Sequence, residues 1–191
     1  MSNCVITNGL QLNSCANNVP GLDGIWVLTS TGTTDALASI TYDVIGMVDA
    51  LSGATAGLEF KKVDIVRNSS AALNEETSIN LESLGFSFNP TLIFTIPGYS
   101  QENTNLYQEI VKNTASFFIV KLKTGRFFFV SPSGLFVSSA TIGSGSLPGD
   151  SQLYTLTLTG NESISIPEMD ITTTLTAWLA ANSNIAIDRE N

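Results

Sequence analysis

Between residues 86 and 96 the even positions hold Phe86, Phe88, Pro90, Leu92, Phe94 and Ile96, and the odd ones Ser87, Asn89, Thr91, Ile93 and Thr95. Side chains on a strand alternate between faces, so this period of two predicts a strand with one buried face. Residues 73–82 mirror it. Asn74, Glu76, Ser78, Asn80 and Glu82 are polar, while Leu73, Thr77, Ile79 and Leu81 lie opposite them, with Glu75 the exception. Gly85 separates the two stretches, which together predict a long hairpin. Pro90 has no N–H to donate and is expected at a sheet edge or a bulge.

The chain on either side reads as further strands and one short helix. Residues 1–23 form a small-residue arm, with a hairpin-turn signal at Asn8-Gly9 between Val5-Ile6 and Leu10 and Leu12. Residues 24–30 predict a buried strand, and 31–35 a loop. Residues 40–51 predict a single strand that carries Asp43 and Asp49 on the face shared by Ile45 and Met47. In residues 58–67, Leu58 and Phe60 have one parity and Val63 and Ile65 the other, so a bulge is expected near Lys61-Lys62. Pro97-Gly98 ends the long hairpin. Ser100 is a candidate N-cap with Glu102 in the first turn, and Leu106, Tyr107, Ile110 and Val111 share one helical face up to Asn113 or Thr114.

Strands follow at 116–122 and 126–130, joined at Thr124-Gly125, and again at 134–142 and 153–159. The glycine-rich loop 143–150 does not fit a phosphate site. Such loops need a helix directly after them, and Tyr154, Leu156 and Leu158 alternate with threonines as a strand does. Beyond Gly160 the chain reads as a polar, partly extended tail. A weak helix is expected at 173–182 with Leu175, Trp178 and Leu179 as its apolar face. Trp178 either docks that tail on the parent domain or contacts a second chain. Asn161-Glu162-Ser163 matches a glycosylation sequon, which is silent without secretion.

Composition changes this picture mainly by exclusion. The 191 residues suit one domain with a substantial core. Eight basic residues against seventeen acidic ones give a net charge of −9, the wrong sign for gripping nucleic acid. No histidine is present, which removes the commonest general base and zinc ligand and every Ser-His or Cys-His pair. Cys4 and Cys15 are too few for a disulfide scaffold or a four-thiolate site. The hairpin signal at Asn8-Gly9 would bring them near each other, and two reduced thiols are the expected state in a cytoplasm. The first residues lack the basic start and apolar run of a signal peptide, and no apolar run approaches a membrane span. As collinear strand positions, Asp43 and Asp49 would stand about 20 Å apart, too wide for a glycosidase pair. No cofactor, metal site or enzyme activity is expected.

Several segments carry a resemblance. GLQLNSCANNVPGLDGIWVLTS, with Cys15, Asn17, Asn18, Gly21, Gly24 and Trp26, resembles the tail-ring and tail-tube-like structural proteins of crAss-like tailed phages. The hairpin LNEETSINLESLGFSFNPTLIFTIPG, the Gly149-Asp150 pair and the closing strand Tyr154–Gly160 are similar to the same family in order and spacing. The helix NTNLYQEIVKN and the hairpin LKTGR depart from the family's charge pattern, and nothing after Gly160 matches it.

The resemblance implies a mainly β fold of two packed antiparallel sheets, a tail-tube-like sandwich or barrel, with one flanking α-helix and extended terminal arms. It divides the chain into an N-terminal arm (1–23), a β domain (24–160) and a C-terminal extension (161–191). It implies a virion structural protein, assembled in the host cytoplasm as a ring of six or twelve copies between neighbouring tail or connector proteins, with DNA passing through transiently. Asp43, Asp49, Glu76 and Glu82 are then the candidate lumen acids. Leu73, Ile79, Phe86, Phe88, Pro90 and Trp178 are the candidate subunit contacts. The competing expectation is a β-sandwich adhesin or a receptor- or glycan-binding module, which aromatics exposed at loop ends would favour.

Overall fold

A computed structural model describes residues 21–29, 37–53, 58–65, 71–80, 85–144 and 152–189. Cys4, Cys15, the Asn8-Gly9 turn, Glu82 and most of the glycine-rich loop lie outside the described residues. Within them the first sheet is built from β1 (Leu22–Thr29), β2 (Leu37–Tyr42), β3 (Val48–Gly53), β4 (Glu59–Val63), β7 (Ser116–Leu122), the first part of β8 (Phe127–Gly143) and the short strands β10 (Glu168–Met169) and β11 (Ala186–Ile187). Its order is β11-β4-β1-β7-β8-β10-β3-β2. The second sheet runs β5 (Ala72–Asn80), β6 (Gly85–Pro97), β9 (Leu153–Thr159) and the remainder of β8. Pairing is antiparallel except for β10 with β3 and β11 with β4. The sheets pack on each other and do not close into a barrel.

The central strands of the first sheet, β1 and β7, are buried on both faces, which explains their unbroken apolar runs. Ile25, Val27, Phe118 and Val120 face the second sheet, where they meet Leu92, Phe94, Ile96, Leu156 and Leu158. Trp26, Leu28, Phe117 and Ile119 face the other way, into a second core. Strand β4 follows the same rule. Phe60 enters one core and Val63 the other, and the register against β1 runs without a shift, so no bulge forms at Lys61-Lys62.

The helix α1 (Gln101–Lys112) follows β6, with the Ser100 hydroxyl accepting from the Asn103 backbone N–H and Asn113 as its C-cap. Its Ile110 is buried, and Leu106 and Tyr107 lie against the inter-sheet core. The second core is closed by the segment after Gly160. Met169 of β10 and Leu175, Trp178 and Leu179 of α2 (Leu175–Asn182) fill it. This segment is part of the body, pinned by β10 against β8 and by β11 against β4, and α2 is the helix expected at 173–182, with Leu175, Trp178 and Leu179 on its buried face.

Residues 40–51 are not a single strand. Asp43–Met47 is the turn of a β2–β3 hairpin, with Gly46 at φ 88° and the Asp43 carboxylate accepting from the N–H groups of Ile45 (2.9 Å) and Met47 (2.8 Å). A glycine at positive φ and an acid that caps its own turn outweigh the apolar alternation.

Candidate functional site

The second sheet is placed by a corner in β8. Phe127–Val130 pairs with β7 and β10, and after Ser131–Gly134 the same strand continues beside β9. Strands that switch sheets do so at such bends. Ser131 has φ 57° and Gly134 φ 88°. The Glu162 carboxylate, only 6% exposed, holds the bend. It accepts from the Ser131 hydroxyl, the Ser133 backbone N–H (2.8 Å) and the Ser133 hydroxyl (3.0 Å). Phe88 and Glu162 also exchange backbone hydrogen bonds at 2.9 and 2.8 Å, which ties the corner to β6. Burial, and secondarily the Glu162 charge, raise the Tyr42 phenol above its ordinary pKa.

Pro90 is buried inside β6, not on an edge: β5 pairs with it on one side, and on the other its carbonyl accepts from the Gly160 N–H (3.0 Å). In an antiparallel strand the N–H and C=O of one residue point the same way. The donor that Pro90 lacks would therefore have faced Gly160, where regular β6–β9 pairing ends at Thr91↔Thr159. The proline leaves one missing donor in a register that resumes at Phe88↔Glu162.

Beyond that point β5 and β6 continue as a two-stranded ribbon paired out to Asn80↔Gly85. Its base is covered, with Leu73 lying against the inter-sheet core. Its tip is not. Ile79 is 69% and Phe86 63% exposed, and Phe88 packs edge-on against Phe86 at 5.8 Å. The apolar face expected of residues 86–96 is thus buried only from Pro90 to Ile96. Among the described residues no strand covers the outer side of β5 or of residues 136–143, so the second sheet has two open edges.

The expected site residues divide accordingly. Ile79, Phe86 and Phe88 come together on the ribbon. Trp178 does not join them. It is 6% exposed in the second core, because α2 needs that side chain to cover the first sheet, and it is unavailable to another chain. Pro90 is likewise closed off by its neighbours. Of the acids, Asp49 and Glu76 are exposed, on β3 and β5 of different sheets, whereas Asp43 is engaged in its turn. In sequence Glu162 is indistinguishable from the rest of a polar tail. The SPSG stretch at 131–134, with its proline and glycine, was the signal for a bend there.

The opposite end of the second sheet carries a tyrosine cluster. The Tyr154 ring lies 4.9 Å from Tyr99 and 5.0 Å from Tyr107, and its hydroxyl is 2.7 Å from Thr104 Oγ1. Ile142, its cross-strand partner, is 58% exposed. Among the described residues no group of three or more Cys, Asp or Glu could hold a metal ion, and no helix is long and apolar enough to cross a membrane. Ser131 and Glu162 touch, but the hydroxyl is fully buried, so the pair serves the bend. No protein-family model matches the chain, and neither a curated protein nor a solved structure matches it.

Proposed function

We propose that this chain is a virion structural protein, a ring or tube subunit of a phage tail or head–tail connector that forms a channel for DNA passage. The observation that carries the reading is the pair of open edges on the second sheet. Strands β5 and β8 run in opposite directions at the two ends of the order β5-β6-β9-β8. Laying β8 of one copy against β5 of the next therefore continues the antiparallel alternation and repeats head to tail. Such contacts close into rings when the rotation allows. Native edges are usually protected by charge, yet residues 134–143 (GLFVSSATIG) contain none. The bulge between Val137 and Ser139 leaves 139–143 as the regular part of that edge.

The net charge of −9 suits a channel that lets DNA pass without holding it, since like charge forbids phosphate contacts. Exposed Asp49 and Glu76 are the acids available for that role. The reading assigns no catalytic step and no cofactor. Negative-stain images and solution mass of the purified full chain test it: closed rings of one size, six or twelve copies, are expected, and a monomer at all concentrations would overturn it. A second reading, a β-sandwich adhesin or a receptor- or glycan-binding module, is favoured by Tyr99, exposed at the β6–α1 junction beside two other tyrosines. Saturable binding to a glycan array by a monomer or small oligomer would select it.

A further inference from the structure

At the two open edges of the second sheet, hydrogen-bonding direction and side-chain direction agree. Phe88 and Pro90 point their backbone groups away from β5, so Ser87, Asn89 and Thr91 point theirs toward it, where they meet Ser78, Glu76 and Asn74. Leu73, Glu75, Thr77 and Ile79 are left pointing outward on β5. The same alternation leaves Ala140 and Ile142 pointing outward on β8. Leu73 and Ala140 both lie against the inter-sheet core, and side chains two residues apart on a strand share a face. The outward-pointing residues of both edges therefore carry their side chains on the core face. Laid together, the edges continue one core from copy to copy.

Ile142 is 58% exposed at the β8 edge, and Leu73 is the core residue that the β5 edge presents. We propose, resting on the edge pairing above, that Ile142 of one copy pairs with Leu73 of the next, with Ala140 opposite Glu75. In this register residues 139–143 all find partners, in residues 72–76. A shift of two residues one way carries Ile142 past Ala72, where β5 begins. A shift of two the other way sets Ile142 against Glu75, whose carboxylate is engaged on that face by the Ser165 hydroxyl and the Ile166 N–H, both at 2.7 Å. Ala140 is small enough to stand there. The same register sets a stagger. Within one copy Leu73 lies in line with Leu92 and Leu158, whereas Ile142 lies in line with Tyr154, four residues along β9. Each copy is thus offset from the last by four residues for its four strands. One residue per strand is also the ratio in an eight-stranded barrel of shear 8, which closes with a strand tilt of about 36°.

The test uses the full chain carrying Cys4→Ser and Cys15→Ser, with Thr141→Cys combined in turn with Asn74→Cys, Glu76→Cys or Ser78→Cys. These four positions lie on the outer face, and Thr141 and Asn74 stand at opposite edges of one copy, so a disulfide between them must join two copies. In the proposed register they are direct partners with Cα atoms about 4.5 Å apart, within disulfide reach. Glu76 and Ser78 stand about 7 and 13 Å further along the strand, which puts them beyond it. Oxidation should link copies through Asn74→Cys alone. Ile142→Ala should raise the concentration needed for assembly about tenfold, the factor equivalent to about 1.4 kcal/mol, and Thr141→Ala, on the other face of the same edge, should leave it in place. Links through Glu76→Cys or Ser78→Cys, no links at all, or equal effects of the two alanine variants would overturn the proposal. The ring reading is judged separately, by particle shape. Closed rings with the wrong links would keep that reading and remove this register, and Asn74-linked chains in open fibres would do the reverse. A chain that stays monomeric would overturn both.

Discussion

The Glu162 carboxylate accepts two hydrogen bonds from one residue, Ser133, through its backbone N–H at 2.8 Å and its hydroxyl at 3.0 Å. That clasp fixes the point at which β8 leaves the first sheet for the second, and so sets where the open β8 edge stands. Replacing the carboxylate by an amide puts an NH2 among donors. Glu162→Gln should destabilise the fold by about 1–3 kcal/mol, the cost of leaving buried donors unsatisfied. The urea midpoint of the variant checks it, and an unchanged midpoint would show that the bend stands without the clasp.

Two glycines at the same φ of 88° should respond differently to alanine. At Gly134 an added Cβ would lie 2.8 Å from the Ala115 Cβ, whereas at Gly46 it meets nothing within 4 Å. Gly46→Ala should cost only the backbone strain, about 1–2 kcal/mol. Gly134→Ala should cost more, since overpacking adds about 1–3 kcal/mol. Thermal unfolding of the two variants side by side measures the difference.

Trp178→Ala should cost about 3–5 kcal/mol of stability, as for a large aromatic removed from a core. The loss should be independent of protein concentration, because the side chain is buried within its own chain. A concentration-dependent loss would instead place Trp178 in a contact between chains.

Tyr42 supplies a pH dependence. Its pKa is raised in the folded state, first by burial and then by the Glu162 charge. The folded state therefore resists deprotonation. This contribution is fully present below the ordinary tyrosine range near 10 and is lost as pH rises through the folded value. Stability measured from pH 8 to 11 should fall at the alkaline end, and Tyr42→Phe should flatten that fall.

The strands were legible wherever one side chain pattern answered to one environment. Residues 153–159 alternate cleanly because β9 has one face on the core. The hairpin of β5 and β6 was legible for the same reason, and the α1 caps followed from Ser100 and Asn113. Reading failed where two environments shared a strand. Phe60 and Val63 mimicked a bulge because each enters a different core, and Phe86 mimicked a core residue because alternation cannot say where cover ends. The corner at Glu162 joins residues some thirty positions apart through side-chain hydrogen bonds, which leave no periodic trace. The placement of Trp178 depended on a sheet with two buried faces, which only the tertiary arrangement supplies.

The central claim, that copies join through the open edges of the second sheet, is tested most directly by one proline. Hydrogen bonds of β6 alternate sides, with Phe88 and Pro90 directed toward the Glu162 and Gly160 side. Carried across the register, this alternation directs Ser139 and Thr141 toward β9 and the N–H of Ala140 outward, to the open edge. Ala140→Pro removes that outward donor and spares the ladder within the chain. The solution mass of this variant, measured beside the unaltered chain, is the decisive quantity. A folded monomer in place of a closed ring is the expected result; a variant that assembles to the same mass as the unaltered chain would contradict edge pairing through β8.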